Sequence, residues 1–184
     1  MGRTVRPDSK IRPYVDHLNW LLNKTLTASR LSFLEGTSDY RVITRYEQRE
    51  IVPLELKPRG WLHLRQGITV RPHDGKILVQ EAHYGFSFSE DPDDESASVF
   101  MYHYHREGRP NQPQSHFHVY GQRNGRALQE IHFPAGRVSI EQIAAHLLLE
   151  HRIRPMCSRQ EAIALLRESH LKFMTLRTDE PVFP

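Results

Sequence analysis

The sequence predicts an α+β fold, in which a twisted antiparallel β-sheet of about five or six strands is packed by one N-terminal and two C-terminal helices. Two changes of pattern lead to this prediction. Apolar residues recur at helical spacing near the N-terminus, at alternate positions through the middle of the chain, and at helical spacing again towards the C-terminus. Because the strand-like segments are consecutive and separated by turn-forming sequences, antiparallel neighbours are expected.

The composition is that of one folded domain spanning residues 1–184. Apolar residues make up 38% and charged residues 26% of the 184 residues, which allows a substantial core. The single cysteine, Cys157, excludes an internal disulfide and favours a reducing compartment. The polar N-terminus and the lack of an apolar run of about 18 residues predict neither a secretory signal nor a membrane span. A cytoplasmic protein is therefore expected, and a net charge of +3 does not by itself indicate nucleic-acid binding.

The first predicted element is a helix over about residues 13–28. Pro13 suits the first turn of a helix. Five apolar residues then recur at helical spacing: Val15, Leu18, Leu21, Leu22 and Leu26. They form a single stripe, which we expect to be buried.

The sheet is predicted to occupy about residues 40–133. Alternating apolar positions mark strands at 61–70 and 76–88, and Pro-His-Asp-Gly at 72–75 is typical of a tight hairpin turn between them. Residues 89–98 are acidic and lack large apolar side chains, so they are expected to form an exposed loop. The spacing of their acids does not fit the twelve-residue calcium loop.

Two helices are predicted after the sheet, at about 139–151 and 158–172. Ser139 with Gln142, and Ser158 with Glu161, each match the capping-box pattern of a helix start. Residues 178–184 carry no periodicity and are expected to fray.

The strongest chemical signal is the stretch from Phe100 to Phe133, which holds five of the twelve histidines. Side chains alternate between the two faces of a strand, so His103 and His105 share one face while the neighbouring aromatic residues face the core. In the next strand, His116 and His118 share a face with Tyr120. The sequence therefore predicts a sheet with one aromatic face and one histidine face.

Matching apolar residues across the turns brings further groups to this face. A symmetric hairpin would place His103 opposite His118 and His105 opposite His116. A three-residue loop at 124–126 would pair Phe117 with Phe133, because a shift of one residue would expose the apolar set. These registers add four more residues to the histidine face: His132, Glu130, Glu81 and His83.

Three interpretations of this face are open. It is a polar sheet surface; or it holds a divalent metal, zinc, nickel or manganese, through His103, His105, His116, His118 and His132, with Glu81, His83 and Glu130 nearby; or it performs metal-free acid and base catalysis. The catalytic candidates are His103, His105, His116 and His118. The binding candidates are Tyr120 and four arginines expected to border the face: Arg106, Arg109, Arg123 and Arg126.

Residues from Gly75 to about Leu148 resemble the TumE family of toxin-like proteins. The similar features are the segment DGKILVQEAHYGFSF, the strand with Tyr-His-Tyr-His, the strand carrying His116 and His118, and the Ser-Ile-Glu-Gln start of a helix. The resemblance implies a small α+β domain paired with an antitoxin protein in a prokaryote, and no site residues are taken from it. The long N-terminal region and the C-terminal helices depart from that family.

The expected function is therefore a TumE-like toxin or mobile-element protein that acts on RNA as a histidine-dependent ribonuclease or hydrolase. The alternative is a non-catalytic binding module, in which the histidine face docks a protein partner or a structural metal. The expected partners are an antitoxin, RNA or a second copy of the chain, since open sheet edges could pair to form a homodimer.

Overall fold

A computed structural model of the chain describes residues 11–35, 39–47, 50–71, 74–108, 110–123, 126–128 and 131–175. The helices are α1 (Arg12–Thr25), α2 (Ile140–Glu150) and α3 (Arg159–Thr175), with a short 3-10 helix at Glu95–Ala97. The strands are β1 (Ser32–Glu35), β2 (Tyr40–Ile43), β3 (Arg45–Glu47), β4 (Glu50–Val52), β5 (Leu54–Glu55), β6 (Trp61–Val70), β7 (Ile77–Ser87), β8 (Ser98–His105), β9 (Ser115–Val119), β10 (Gln122–Arg123), β11 (Arg126–Ala127) and β12 (Phe133–Pro134).

The main sheet is antiparallel and has eight strands, in the order β1-β2-β6-β7-β8-β9-β12, with β5 pairing beside β6. Two small hairpins, β3-β4 and β10-β11, lie off this sheet. The predicted α+β class is confirmed, with one N-terminal and two C-terminal helices. The sheet is larger than expected because it begins at Ser32 with β1 and gains the short strand β5.

The aromatic face of the sheet forms the core. Tyr84, Phe86, Phe100, Tyr102 and Tyr104 are each at most 5% exposed. Tyr84 and Tyr102 are stacked with ring centroids 5.7 Å apart. The helices cover this face, as the edge contact between Phe100 and His146 of α2 shows.

The helices begin and end close to their predicted bounds. The five residues of the predicted stripe, four in α1 and Leu26 directly after it, are all at most 6% exposed. Before α2 the capping box is complete, since Ser139 and Gln142 each bond the other's backbone N–H. Ser158 Oγ accepts the N–H of Glu161 at the start of α3. Residues 178–184, predicted to fray, lie outside the described residues.

The predicted pairing of β7 with β8 is confirmed. Glu81 lies opposite His105 and His83 opposite His103, so both β7 residues share the histidine face. The strands β6 and β7 also pair as expected, with Val70 opposite Ile77, while residues 72 and 73 of the predicted turn lie outside the described residues.

The predicted pairing of β8 with β9 is wrong by two residues. His103 lies opposite His116, and His118 lies opposite Met101. Gln114 lies opposite His105 in place of His116, since the His105 N–H bonds the Gln114 carbonyl, so β9 is shifted by two residues relative to β8. A shift of two residues leaves every side chain on its predicted face. The predicted composition of the aromatic and histidine faces is therefore unchanged.

The pairing of Phe117 with Phe133 is confirmed, but the chain between these two residues differs from the prediction. Arg123 pairs with Arg126, which leaves a connection of two residues and not the predicted loop at 124–126. Leu128 and Ile131 then form a turn, in which the Ile131 N–H bonds the Leu128 carbonyl, before β12 joins the main sheet. The predicted register therefore forms, although Phe117 is only half-buried and Phe133 is 40% exposed.

No helix in the described ranges is long and apolar enough to cross a membrane.

Candidate metal centre

Six histidines lie together on the face of the sheet opposite the aromatic core. They come from three neighbouring strands and the segment before β12: His83, His103, His105, His116, His118 and His132. His105 and His116 are buried, at 6% and 0% exposed, and the other four are half-buried. The histidine face is therefore partly shielded from solvent.

Three of these histidines converge closely enough to hold a metal ion. One ring nitrogen from each of His103, His116 and His118 lies within 4.8 Å of the others. The ring centroid of His103 is 5.3 Å from that of His116 and 4.9 Å from that of His118. Ligands of a tetrahedral zinc lie about 3.4 Å apart, so side-chain shifts of about 1 Å would close the three on one ion.

The tautomer of His116 is set by the backbone. Its Nδ1 lies 2.9 Å from the carbonyl oxygen of Pro113. A carbonyl can only accept, so Nδ1 carries the proton and donates it. In the neutral ring the lone pair is then on Nε2, which is buried. Metal-binding histidines are oriented by a hydrogen bond of this kind.

His103 is held in the neutral form. Burial, followed by the neighbouring rings of His83, His118, His116 and His105, lowers its pKa to about 3. Its Nε2 is buried and has no hydrogen-bond partner among the described residues. A buried lone pair or N–H without a partner is costly, and a bound cation would supply the partner to a lone pair.

A second group of ligands adjoins the first. Single ligating atoms of Glu81, His83 and His105 also lie within 4.8 Å of one another. The ring of His83 is 4.6 Å from that of His103, so the two groups are in contact. Glu81 is engaged by Arg65, whose Nη2 donates to Oε1 at 2.7 Å. Burial would raise the pKa of Glu81, but this hydrogen bond and the charge of Arg65 outweigh it and lower that pKa.

Gly67 of β6 makes room for Glu81. It lies opposite Glu81 in the sheet, and a Cβ at this position would approach Glu81 Cγ to 2.6 Å. Glycine therefore lets the carboxylate lie across β6 and reach Arg65, which is two residues away on the same strand.

The other predicted site residues are placed as follows. His132 contacts the first group of candidate ligands, with its ring 4.7 Å from that of His118 and 4.8 Å from that of His116. Tyr120 follows β9, and its N–H bonds the Val99 carbonyl. Glu130 and Arg109 lie outside the described residues.

Of the predicted arginines, Arg106 is the one whose side chain the described residues place, and it turns away from the histidine face. Arg106 continues the alternation of β8, and its N–H bonds the Gln80 carbonyl. Its side chain lines a cavity on the aromatic side of the sheet with Tyr84 and Tyr104. Arg123 and Arg126 pair in the small β10-β11 hairpin, off the main sheet.

The sequence interpretation missed two residues of β6, His63 and Arg65. Arg65 lies opposite His83, and His63 lies two residues along the same face. Extending the strand alternation from β7 to β6 across the hairpin at 72–75 would have found both. Arg65 adds a guanidinium to this face, where it is paired with Glu81.

No family model, curated protein or solved structure matches this chain.

Proposed function

We propose that this protein binds a divalent transition metal, zinc, nickel or manganese, through His103, His116 and His118 and uses it in hydrolysis. The observation that carries the proposal is that three histidine rings each place a nitrogen within 4.8 Å of the others. The tautomer of one of these rings, His116, is set by its hydrogen bond to the Pro113 carbonyl. Three neutral imidazoles with an open fourth position are a common catalytic zinc site. A metal bound there would lower the pKa of a water ligand and supply hydroxide at neutral pH.

The low pKa of His103 speaks against this residue as the general acid of a metal-free mechanism. A general acid at neutral pH needs a pKa near the working pH, but that of His103 is lowered to about 3. His103 is therefore a neutral ligand and not a proton donor. Acidification opposes metal binding, because protons compete for the same lone pairs.

RNA is the substrate class that we propose for this site. Arg65 lies on the same face, with 43% of its side chain exposed, and offers a guanidinium to a phosphate beside the metal group. The resemblance to TumE supports the same substrate class and an antitoxin as the partner. A phosphodiester would place negative charge between the metal and this cation, which is the arrangement that phosphoryl-transfer sites use.

The first test is elemental analysis of untagged protein purified without chelator. We expect near-stoichiometric metal in the unmodified chain and its loss in His103→Ala and His118→Ala. His146→Ala is the matched control, because His146 is exposed on α2. Circular dichroism establishes that each variant is folded.

The second test is RNA cleavage between pH 5 and 8, with and without chelator. Cleavage that needs metal and disappears in His118→Ala supports the hydrolase. Metal bound without any cleavage would favour the binding module, with the metal in a structural role. A chain that binds no metal at neutral pH contradicts the proposal.

A further inference from the structure

A cavity of about 350 Å³ lies on the opposite side of the sheet from the histidines. It opens between α1, the start of α2, the end of α3 and the strands β7 and β8. Its walls are mainly apolar and include Leu18, Val79, Ala82 and Ile140. The volume falls in the range of small-molecule binding sites, about 300 to 1,000 Å³.

A chain of buried hydrogen bonds ends inside this cavity. Tyr14 Oη donates to Gln66 Oε1 at 2.8 Å, and Gln66 Nε2 donates to Tyr84 Oη at 2.6 Å. Tyr84 therefore accepts in this chain and keeps its own proton to donate. Burial raises the pKa of Tyr84 well above its ordinary value, so the proton is retained. The cavity thus contains an oriented hydroxyl donor.

A second polar chain fixes the wall formed by the helices. Ser169 Oγ donates to Glu141 Oε1 at 2.7 Å and lies 2.9 Å from His17 Nε2. Because the serine has one proton and gives it to Glu141, it accepts the N–H of His17. Ser169 and Glu141 are 4% and 5% exposed, so α1, α2 and α3 are held together at this wall.

Positive charge surrounds the opening. Four basic residues line the cavity and are exposed or half-buried: Lys76, Arg106, Arg137 and Lys172. Lys172 is paired with Glu168 at 2.9 Å, and the lining itself carries the carboxylate of Glu141 at the buried wall. The amino end of α2, which faces the same space through Ser139 and Ile140, adds the positive end of the helix dipole.

From this arrangement we propose that the cavity binds an amphipathic monoanion, a carboxylic acid with an unbranched apolar chain of medium length. The chain lies among Leu18, Val79 and Ile140, and the carboxylate lies at the cationic opening. Apolar walls with a few placed polar groups are typical of such sites. This site is separate from the metal centre and does not depend on it.

The test uses octanoate as the probe on the full chain, with binding measured by isothermal titration calorimetry. We expect saturable binding of one octanoate, and binding of octan-1-ol that is at least ten-fold weaker. Ala82→Leu places a larger side chain in the cavity and should abolish octanoate binding. The double variant Lys76→Gln, Arg106→Gln should weaken octanoate binding about three- to five-fold per lost charge. Lys24→Gln is the matched control, because Lys24 is exposed on α1 outside the cavity lining.

Three results would overturn the proposal: no octanoate binding, equal binding of the alcohol, or full binding by a folded Ala82→Leu variant. Each variant is first compared with the unmodified chain by thermal unfolding, and Ala82→Val serves where leucine prevents folding. Repeating the titration after chelator treatment separates this site from the metal centre. Octanoate binding should be the same in chelator-treated protein, whether or not the metal proposal holds.

Discussion

The protonation state of His103 depends on the side chains around it. It lies in the middle of the histidine face, within ring contact of His83, His105, His116 and His118. A proton placed on it would lack water and would sit beside four rings that can also be charged. The folded chain therefore keeps His103 neutral at a pH at which an exposed histidine is protonated.

This makes stability depend on pH. The pKa of His103 is about 3 in the folded chain, against an ordinary 6.5. Between these values the unfolded chain binds a proton that the folded chain does not, so the free energy of unfolding falls as pH drops from about 6.5 towards 3. We expect His103→Asn to flatten this dependence. Urea unfolding of chelator-treated protein at several pH values measures it.

The control for this series is His146→Asn, which removes a histidine from the exposed face of α2. It should reduce the dependence of the free energy of unfolding on pH less than His103→Asn does, because burial comes before His146 among the causes that lower the pKa of His151. If His103→Asn has the same slope as the unmodified chain, the neutral state of His103 is not what links stability to pH.

The residue-level predictions succeeded where alternation along a strand decides the face, and failed where a chain leaves a strand. Glu81, His83 and His132 follow from alternation and core matching. Arg106 was placed wrongly because β8 continues its alternation for one residue more, which puts that side chain beside Tyr104. The hydrogen bond that extends the strand has no signal in the sequence.

At the level of elements, Tyr102 joins the second half of the sheet to the helices. Its hydroxyl lies 2.8 Å from Ser115 Oγ of β9 and accepts the N–H of Val138 at 2.8 Å, just before α2 begins. One phenol therefore holds β8, β9 and the entry to α2 together.

Tyr102→Phe should cost about 1 to 2 kcal/mol in the free energy of unfolding, because Val138 loses the acceptor for a partly buried N–H. Urea denaturation measures the loss. Tyr104→Phe is the matched control, since Tyr104 lies on the same strand and its hydroxyl makes no hydrogen bond within the described ranges. Equal losses in the two variants would show that the Tyr102 hydroxyl bonds do not stabilise the fold.

The pairing error between β8 and β9 has a physical origin. Registers that differ by two residues bury the same side chains, so the apolar pattern cannot choose between them. The choice is made by contacts such as that of Tyr102 with Ser115, and by the loop before Ser115. The sequence therefore predicted which faces the histidines and aromatics occupy, but not which histidines are direct neighbours.

At the scale of the whole molecule, one sheet separates two candidate sites. The histidine face holds the metal group, and the aromatic face with its helices holds the cavity. The cavity could not be predicted from the sequence, because it results from the spacing between helices and strands that are far apart along the chain.

Separate sites should stabilise the fold independently. A ligand that binds only the folded chain raises the free energy of unfolding, and contributions from sites that share no contacts add. We therefore expect the rises in melting temperature with zinc and with octanoate to sum when both are present. Differential scanning calorimetry of the four combinations tests this. A combined rise well above or below the sum would show that the sheet couples the sites.

The strands β7 and β8 contribute to both faces at alternate positions: Glu81 and His83 on one side, Ala82 and Tyr84 on the other. Inserting or deleting one codon inside either strand would exchange the two sets, turning imidazoles into the core and phenols outward. Over evolutionary time these strands can therefore change by substitution but not by a change in length, while the loops at 107–112 and 89–97 are free to grow or shrink. Relatives of this chain should differ in length at those loops and keep the spacing from Glu81 to Tyr84 constant.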